Sequence, residues 1–166
     1  MKGVYNFDRK LFYYSIFFLL IILVFPFLLR SDKITLSVMQ NKEDEYEIVI
    51  NTYSRQLVLY KNDEKYKIYP VAIGKPSTKS PVGEWAIITK SKNWGGGFGT
   101  RWLGLNVPWG IYGIHGTNKP HSIGSAASHG CIRMHNTHVE ALFEIVPLKT
   151  RVKIIGNRLP ISVNYA

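Results

Sequence analysis

The sequence predicts a mostly-β domain of the α+β class with one main helix, preceded by an N-terminal transmembrane helix. Three observations lead there. An uncharged apolar run, "LFYYSIFFLLIILVFPFLL", fills residues 11–29; β-textured segments divided by turn residues recur from Tyr46 onward; and one stretch with helical apolar periodicity lies near the C-terminus. Roughly 20 apolar residues at 1.5 Å rise cross a hydrocarbon core. A chain of 166 residues holds one such segment and one domain with a real core.

Lys2, Arg9 and Lys10 precede the run, and the acidic Glu43, Asp44, Glu45 and Glu47 follow Arg30 and Lys33. By the positive-inside tendency, residues 1–10 stay cytoplasmic and the body of the chain is exported. A cleaved signal peptide is the rival. Its apolar region would be about 7–15 residues long and closed by a small-x-small site. The run here is longer, and "FPFLLRSDK" is bulky. The expectation is therefore a single-pass signal-anchor over 11–29 and a polar linker over 30–45. A domain over 46–156, facing away from the cytoplasm, and a tail over 157–166 follow.

Within the domain "YEIVIN" reads as a strand, and "RQLVLYKNDEKYKIYPVAIG" as a hairpin turning at Lys61–Lys65, where Asn62 and Asp63 supply turn chemistry. "GKPSTKSPVG" is a loop broken by Pro and Gly. "EWAIITK" is a strand, "NWGGGFG" a flexible loop, "TRWLGLNV" a strand, and "GIYGIHG" a strand ending at His115. "NKPHSIGSAASHG" is a small-residue connection with one helical turn over 122–127. Thr137 and Glu140 fit a capping box, with Asn136 as alternative N-cap. Val139, Leu142, Phe143 and Val146 form one helical stripe, which Pro147 ends. "RVKIIG" is the last strand.

The net charge is +10, and residues 34–166 hold 16 Lys+Arg against 9 Asp+Glu, a net +7. The excess is scattered, with no run of like charges and no zinc-finger, helix-turn-helix or RNP pattern, so nucleic acid is not the expected partner. An anionic envelope polymer suits an exported basic domain; a merely soluble basic surface is the alternative.

Cys131 is the only cysteine, which excludes an intramolecular disulfide and leaves a free thiol to explain. All five histidines, His115, His121, His129, His135 and His138, lie within 24 residues that also hold it. Three readings compete. A buried small hydrophobe is the common fate of free Cys, but the polar surroundings in "SHGCIRM" speak against it. A zinc site needs spacings such as CxxC or HExxH, and only His135-x-x-His138 is close. A Cys–His pair needs a base adjacent in space, and a neighbouring basic group would lower the thiol pKa to about 3.5–7.5. His115, fixed at the end of an apolar strand and followed by Gly116, is the best base. Gly130 lets backbone N–H groups approach a carbonyl, as an oxyanion hole requires.

These residues resemble a known family. "IYGIHGTNKPHSIGSAASHGCIRMHN" is similar to the signature of the L,D-transpeptidase catalytic domain, or YkuD domain: His-Gly, a gap of about fifteen residues, then Ser-His-Gly-Cys. "YPVAIGKPSTKSPVGEWAI" and "FGTRWLGL" resemble its upstream strands, and the likeness spans roughly residues 46–156. The resemblance implies a YkuD-like β-sandwich or mixed-sheet domain acting on peptidoglycan stem peptides. Cys131 would be the nucleophile and His115 the general acid/base, oriented by the Gly116 carbonyl. Ser128, His129 and Gly130 would shape the turn, with N–H groups of Gly130 and Cys131 as oxyanion hole. Tyr112 and Arg133 would join the substrate-binding set, Arg133 through its fork of donors or, alternatively, as a salt bridge beneath the site. The implied reaction releases D-alanine from a stem tetrapeptide and forms 3→3 cross-links. L,D-carboxypeptidase, cysteine peptidase or a non-catalytic wall-binding module are the rivals. No cofactor, metal or nucleic acid is expected, and the chain is expected to be a monomer.

His129 can equally serve only the turn, and His121, His135 and His138 are expected at the surface or as caps. Trp94, Phe98, Trp102 and Trp109 either wall a groove or fill the core. Gly95, Gly96, Gly97 and Gly99 lack a following GK[ST] and read as a mobile flap over the site. No LysM-like module is visible, a positioning task that a membrane anchor would take over.

Overall fold

The computed structural model describes residues 13–14, 16–23 and 44–157. The chain divides into two compact units, Met1–Glu43 and Asp44–Ala166. In the first, residues 13–14 and 16–23 are helical and their apolar side chains are exposed. Among the described residues no helix is long and apolar enough to cross a membrane. The rest of the expected span 11–29, the expected cytoplasmic 1–10, the linker up to residue 43 and the tail from 158 lie outside the described residues.

The second unit is built on strands β1 (Tyr46–Asn51), β2 (Gln56–Lys61), β3 (Glu64–Pro70), β4 (Ile73–Gly74), β5 (Gly83–Lys92), β6 (Arg101–Leu105), β7 (Tyr112–His115), β8 (Ala126–Ser128), β9 (Ile132–Arg133) and β10 (Arg151–Ile155). Eight of them form one mixed sheet in the order β3-β2-β1-β10-β5-β6-β7-β9, and β4 pairs with β8. The β1–β10 and β7–β9 pairs are parallel. The architecture is thus a mostly-β one, a large mixed sheet with a small two-stranded sheet.

Side-chain alternation explains the strands. Ile48 and Ile50 of β1 and Leu57 and Leu59 of β2 enter the main core, whereas Val49, Val58 and Tyr60 point to the other face, where Ile155 joins them. The same main core takes Leu103, Ile114 and Ile132 from the opposite wing of the sheet. Strands that far apart can share one core only because the sheet curls, as twisted sheets do. The expected turn tightens to Asn62 and Asp63, both at positive φ (52° and 66°), the conformation that matches a two-residue hairpin to strand twist.

The helix Asn136–Ile145 buries Val139, Leu142 and Phe143, the predicted stripe. Its start differs from the expected capping box. His135 is the N-cap and no side chain caps it, because β9 runs almost directly into the helix and leaves Thr137 inside the first turn. Asn136, also expected as a cap, turns its side chain aside to accept the Thr117 N–H at 3.0 Å. At the other end Lys90 Nζ donates to the carbonyls of Phe143 (2.6 Å) and Val146 (2.8 Å). An ammonium is favoured there by the orphan carbonyls of the last turn.

The helical turn expected over 122–127 is replaced. A 3₁₀ turn occupies Pro120–Ser122, since Pro presets the first helical φ. Ala126–Ser128 is a strand because the carbonyls of Ser125 and Ser128 accept the N–H groups of Ile73 and Lys75. This connection carries the chain from His115 back to Cys131.

Candidate active site

β7 is held between β6 and β9. Trp102 lies opposite His115 on one side, and Arg133 lies beside His115 on the other. Gly116 N–H donates to the Arg101 carbonyl and Met134 N–H to the His115 carbonyl, so the backbone around His115 is fixed from both flanks. Trp102 is 2 % exposed, and its ring stacks on the imidazole (5.7 Å between centroids, 26°). Phe98 meets the same imidazole edge-on at 4.9 Å. A Cβ at Gly113 would lie 2.7 Å from the Trp102 ring, so the glycine makes the slot for the indole beside His115.

His115 is 3 % exposed. Its Nδ1 lies 2.5 Å from the Gly116 carbonyl. A carbonyl only accepts, so Nδ1 carries the proton and Nε2 keeps its lone pair. Burial pushes the pKa of His115 down to about 4; the Arg133 charge acts in the same direction, and the carbonyls of Gly116 and Phe98 act against them. The imidazole is neutral at pH 7.

Cys131 follows a turn built by Ser128, whose hydroxyl donates to the Cys131 carbonyl at 2.6 Å and accepts the Gly130 N–H at 3.0 Å. Gly130 has φ 120°, and a Cβ there would lie 2.7 Å from the Tyr112 ring. Glycine is needed for both reasons. The thiol itself faces the Ile111 carbonyl at 3.9 Å. Burial raises its pKa, although the Gly113 N–H and the Arg133 charge pull it down. The expectation of a thiol acidified by its neighbours is therefore corrected: desolvation outweighs them, and the resting pair is a neutral thiol and a neutral imidazole.

Cys131 and His115 line one cavity of about 430 Å³ with Trp94, Gly97, Phe98, Trp102, Ile111, Ser128, His129 and Arg133. Two other expectations change. Gly130 N–H is engaged by Ser128, so it does not point into the cavity as an oxyanion donor; Cys131 N–H makes no hydrogen bond among the described residues. Tyr112 lines not this cavity but the neighbouring one that shares Trp94, Trp102 and Ile111 with it, and packs on Gly130. Trp109 lies outside the cavity, edge-on to Trp85 at 5.3 Å. The sequence reading missed Ile111, because nothing local marks a strand-entry carbonyl as a thiol acceptor.

Arg133 enters no ion pair among the described residues, and its Nε is buried without a hydrogen bond. The salt-bridge alternative for Arg133 is set aside on that geometry. His135 and His138 sit edge-on at 5.3 Å, and His138 contacts Tyr69 at 5.1 Å, all outside the cavity. Among the described residues no three His, Cys, Asp or Glu side chains are arranged to hold a metal ion.

A neutral imidazole with a fixed tautomer and a thiol thus line one cavity, the residue types from which a nucleophile–base pair is built. Comparison with known proteins gives the family. Residues 45–154 match the family model for the L,D-transpeptidase catalytic domain, YkuD. The chain is 50% identical over 109 residues to the putative L,D-transpeptidase YkuD of Bacillus licheniformis, a match covering 66% of this chain and 65% of that protein. It is 37% identical over 122 residues to the putative L,D-transpeptidase YqjB of Bacillus subtilis, covering 64% of this chain and 69% of that one. The fold is that of L,D-transpeptidase 3 from Mycobacterium tuberculosis, solved with a faropenem-derived adduct, at a TM-score of 0.62 and 12% identity over 68% of this chain and 60% of that one. The chain belongs to the L,D-transpeptidase catalytic domain family.

Proposed function

We propose that the chain is a peptidoglycan L,D-transpeptidase that forms 3→3 cross-links through a Cys131 thioester. The observation that carries this reading is the shared cavity of Cys131 and a His115 whose Nδ1–H is committed to Gly116. His115 Nε2 takes the thiol proton as sulfur attacks the carbonyl of the third residue of a stem tetrapeptide. General-base transfer during attack suits a thiol that rests neutral. The Cys131 N–H is the donor offered to the oxyanion. The carbon–nitrogen bond then breaks, D-alanine leaves with the proton returned by His115, and the thioester remains. An acceptor amine attacks the thioester, gives its proton to Nε2, and the thiol is restored as the new amide forms.

Two features support a bulky, acidic, two-part substrate. A second cavity of about 470 Å³ shares Trp94, Trp102 and Ile111 with the first, which leaves room for an acceptor beside the donor. From Lys65 to Val139 the chain has nine Lys and Arg and one acidic residue, Glu84, which lies within 4 Å of Arg151 and Lys153. Arg133, the cation nearest the reacting pair, would take a stem carboxylate. The apolar run over 11–29 would anchor the enzyme in the cell membrane with the domain facing the wall.

The test incubates the full chain, purified in mild detergent, with imipenem and separately with a stem tetrapeptide, and records intact mass and products. An adduct on wild type but not on Cys131→Ala, together with a cross-linked dimer, is expected. A folded wild type that acquires no adduct would overturn the thiol-enzyme reading in favour of a wall-binding module. Tripeptide without dimer would make the enzyme an L,D-carboxypeptidase.

A further inference from the structure

We propose that Asn136 is a positioning residue for His115, acting by locking the peptide plane between Gly116 and Thr117. The inference rests on the reading of His115 as the base. That one peptide unit carries two bonds of opposite direction. Its carbonyl accepts from His115 Nδ1, and its N–H donates to Asn136 Oδ1 at 3.0 Å. Turning the plane over would break both bonds at once, so the asparagine opposes the rotation that would free the imidazole.

The site is built for this side chain. A Cβ on Gly116 would lie 2.2 Å from Asn136 Oδ1, and a Cβ on Gly99 would meet the same atom at 2.2 Å and the Thr117 nitrogen at 2.4 Å. Two glycines therefore form the notch that admits the amide. Gly99 also closes the glycine-rich loop that carries Phe98 against the imidazole, so Asn136 braces the loop end and the histidine together. The helix start explains how it gets there. The turn from β9 places Asn136 first in the helix, and its side chain serves the site instead of the helix end.

Without the lock, the Gly116 carbonyl no longer selects the Nδ1–H tautomer, and Nε2 carries the proton in part of the molecules. Outer partners that orient metal-bound histidines are typically worth about 10- to 100-fold, and a loss on that scale is expected for a partner that orients His115. The charged or titratable groups that share the cavity with His115 are Arg133 from β9, the thiol of Cys131 and His129 from the turn before it; Phe98 and Trp102 are uncharged.

The experiment uses the full chain labelled with ¹⁵N-histidine, and measures imipenem acylation against pH together with ring-nitrogen shifts. Asn136→Ala is expected to slow acylation about 10- to 100-fold, move its acid limb to lower pH, and turn the His115 signals into a tautomer mixture. Asn136→Asp keeps an acceptor oxygen. It should restore most of the rate and the single tautomer while moving the acid limb to higher pH. Wild-type rate, pH profile and tautomer in Asn136→Ala would overturn the proposal. So would an equal loss in both variants with the tautomer unchanged, which would mark a purely structural residue. If wild type itself takes no adduct, the proposed reaction fails, and the nitrogen shifts still decide the role of Asn136.

Discussion

Replacing His115 with Gln should remove much of the domain's loss of stability in weak acid. The ordinary histidine value of 6.5 applies to the unfolded chain, and burial lowers it to about 4 in the fold. Between those values the unfolded state binds a proton that the folded state refuses, so stability falls as pH falls. The contribution is complete above about pH 6.5 and lost by about pH 4. At 1.36 kcal/mol per pH unit the whole displacement corresponds to about 3 kcal/mol. With His115 3 % exposed, water screens little of it. Between pH 7 and pH 4.5 the linkage relation gives about 2.5 kcal/mol. Urea unfolding of both proteins at the two pH values measures it, and the difference of differences cancels the cost of the substitution itself. His138, also lowered by burial, is present in both and cancels as well. Parallel acid limbs in wild type and His115→Gln would refute the assignment of a neutral, proton-excluding imidazole.

Further outcomes follow from other contacts. Ser128→Ala leaves the Gly130 N–H and the Cys131 carbonyl without their partner; a loss of about 1–3 kcal/mol and slower acylation are expected in thermal melts and adduct kinetics, with Ser128→Thr close to wild type. Gly113→Ala drives a methyl to 2.7 Å from the Trp102 ring. Overpacking of about 1–3 kcal/mol, shifted tryptophan emission and slower acylation should appear together. Lys90→Met removes two hydrogen bonds at the helix C-terminus and should cost about 2 kcal/mol in urea. It should leave the acylation rate unchanged, since Lys90 does not line the cavity.

The long strands and the helix were legible because their patterns are local. Ile48, Ile50, Leu57 and Leu59 alternate with residues of the other face, and Val139, Leu142 and Phe143 repeat at helical spacing. Strands of two or three residues such as Ile73–Gly74, Ile132–Arg133 and Ala126–Ser128 have no period to read. They exist because distant backbone groups pair with them. The candidate pair was legible because a lone cysteine stands in a dense histidine segment with a specific motif. Three details of the site were not legible: the raised thiol pKa, the engaged Gly130 N–H and the packing of Tyr112 on Gly130. Each depends on what desolvates or touches a residue across the fold. Asn136 read as a helix cap because its segment alone gives no hint of Thr117.

The position of β10 has a kinetic consequence. In the order of the large sheet the wing β3-β2-β1 and the wing β5-β6-β7-β9 are joined through Arg151–Ile155, which pairs with β1 on one side and β5 on the other. Some hundred positions separate β1 from β10 along the chain; closing so long a loop is slow, as in other folds rich in non-local pairing. A chain that has emerged only up to the helix carries two half-sheets whose edges at β1 and β5 lack β10. The core shared by Ile48 and Ile50 of one wing and Leu103 and Ile114 of the other is complete only when Val152 and Ile154 of β10 fill the seam between them.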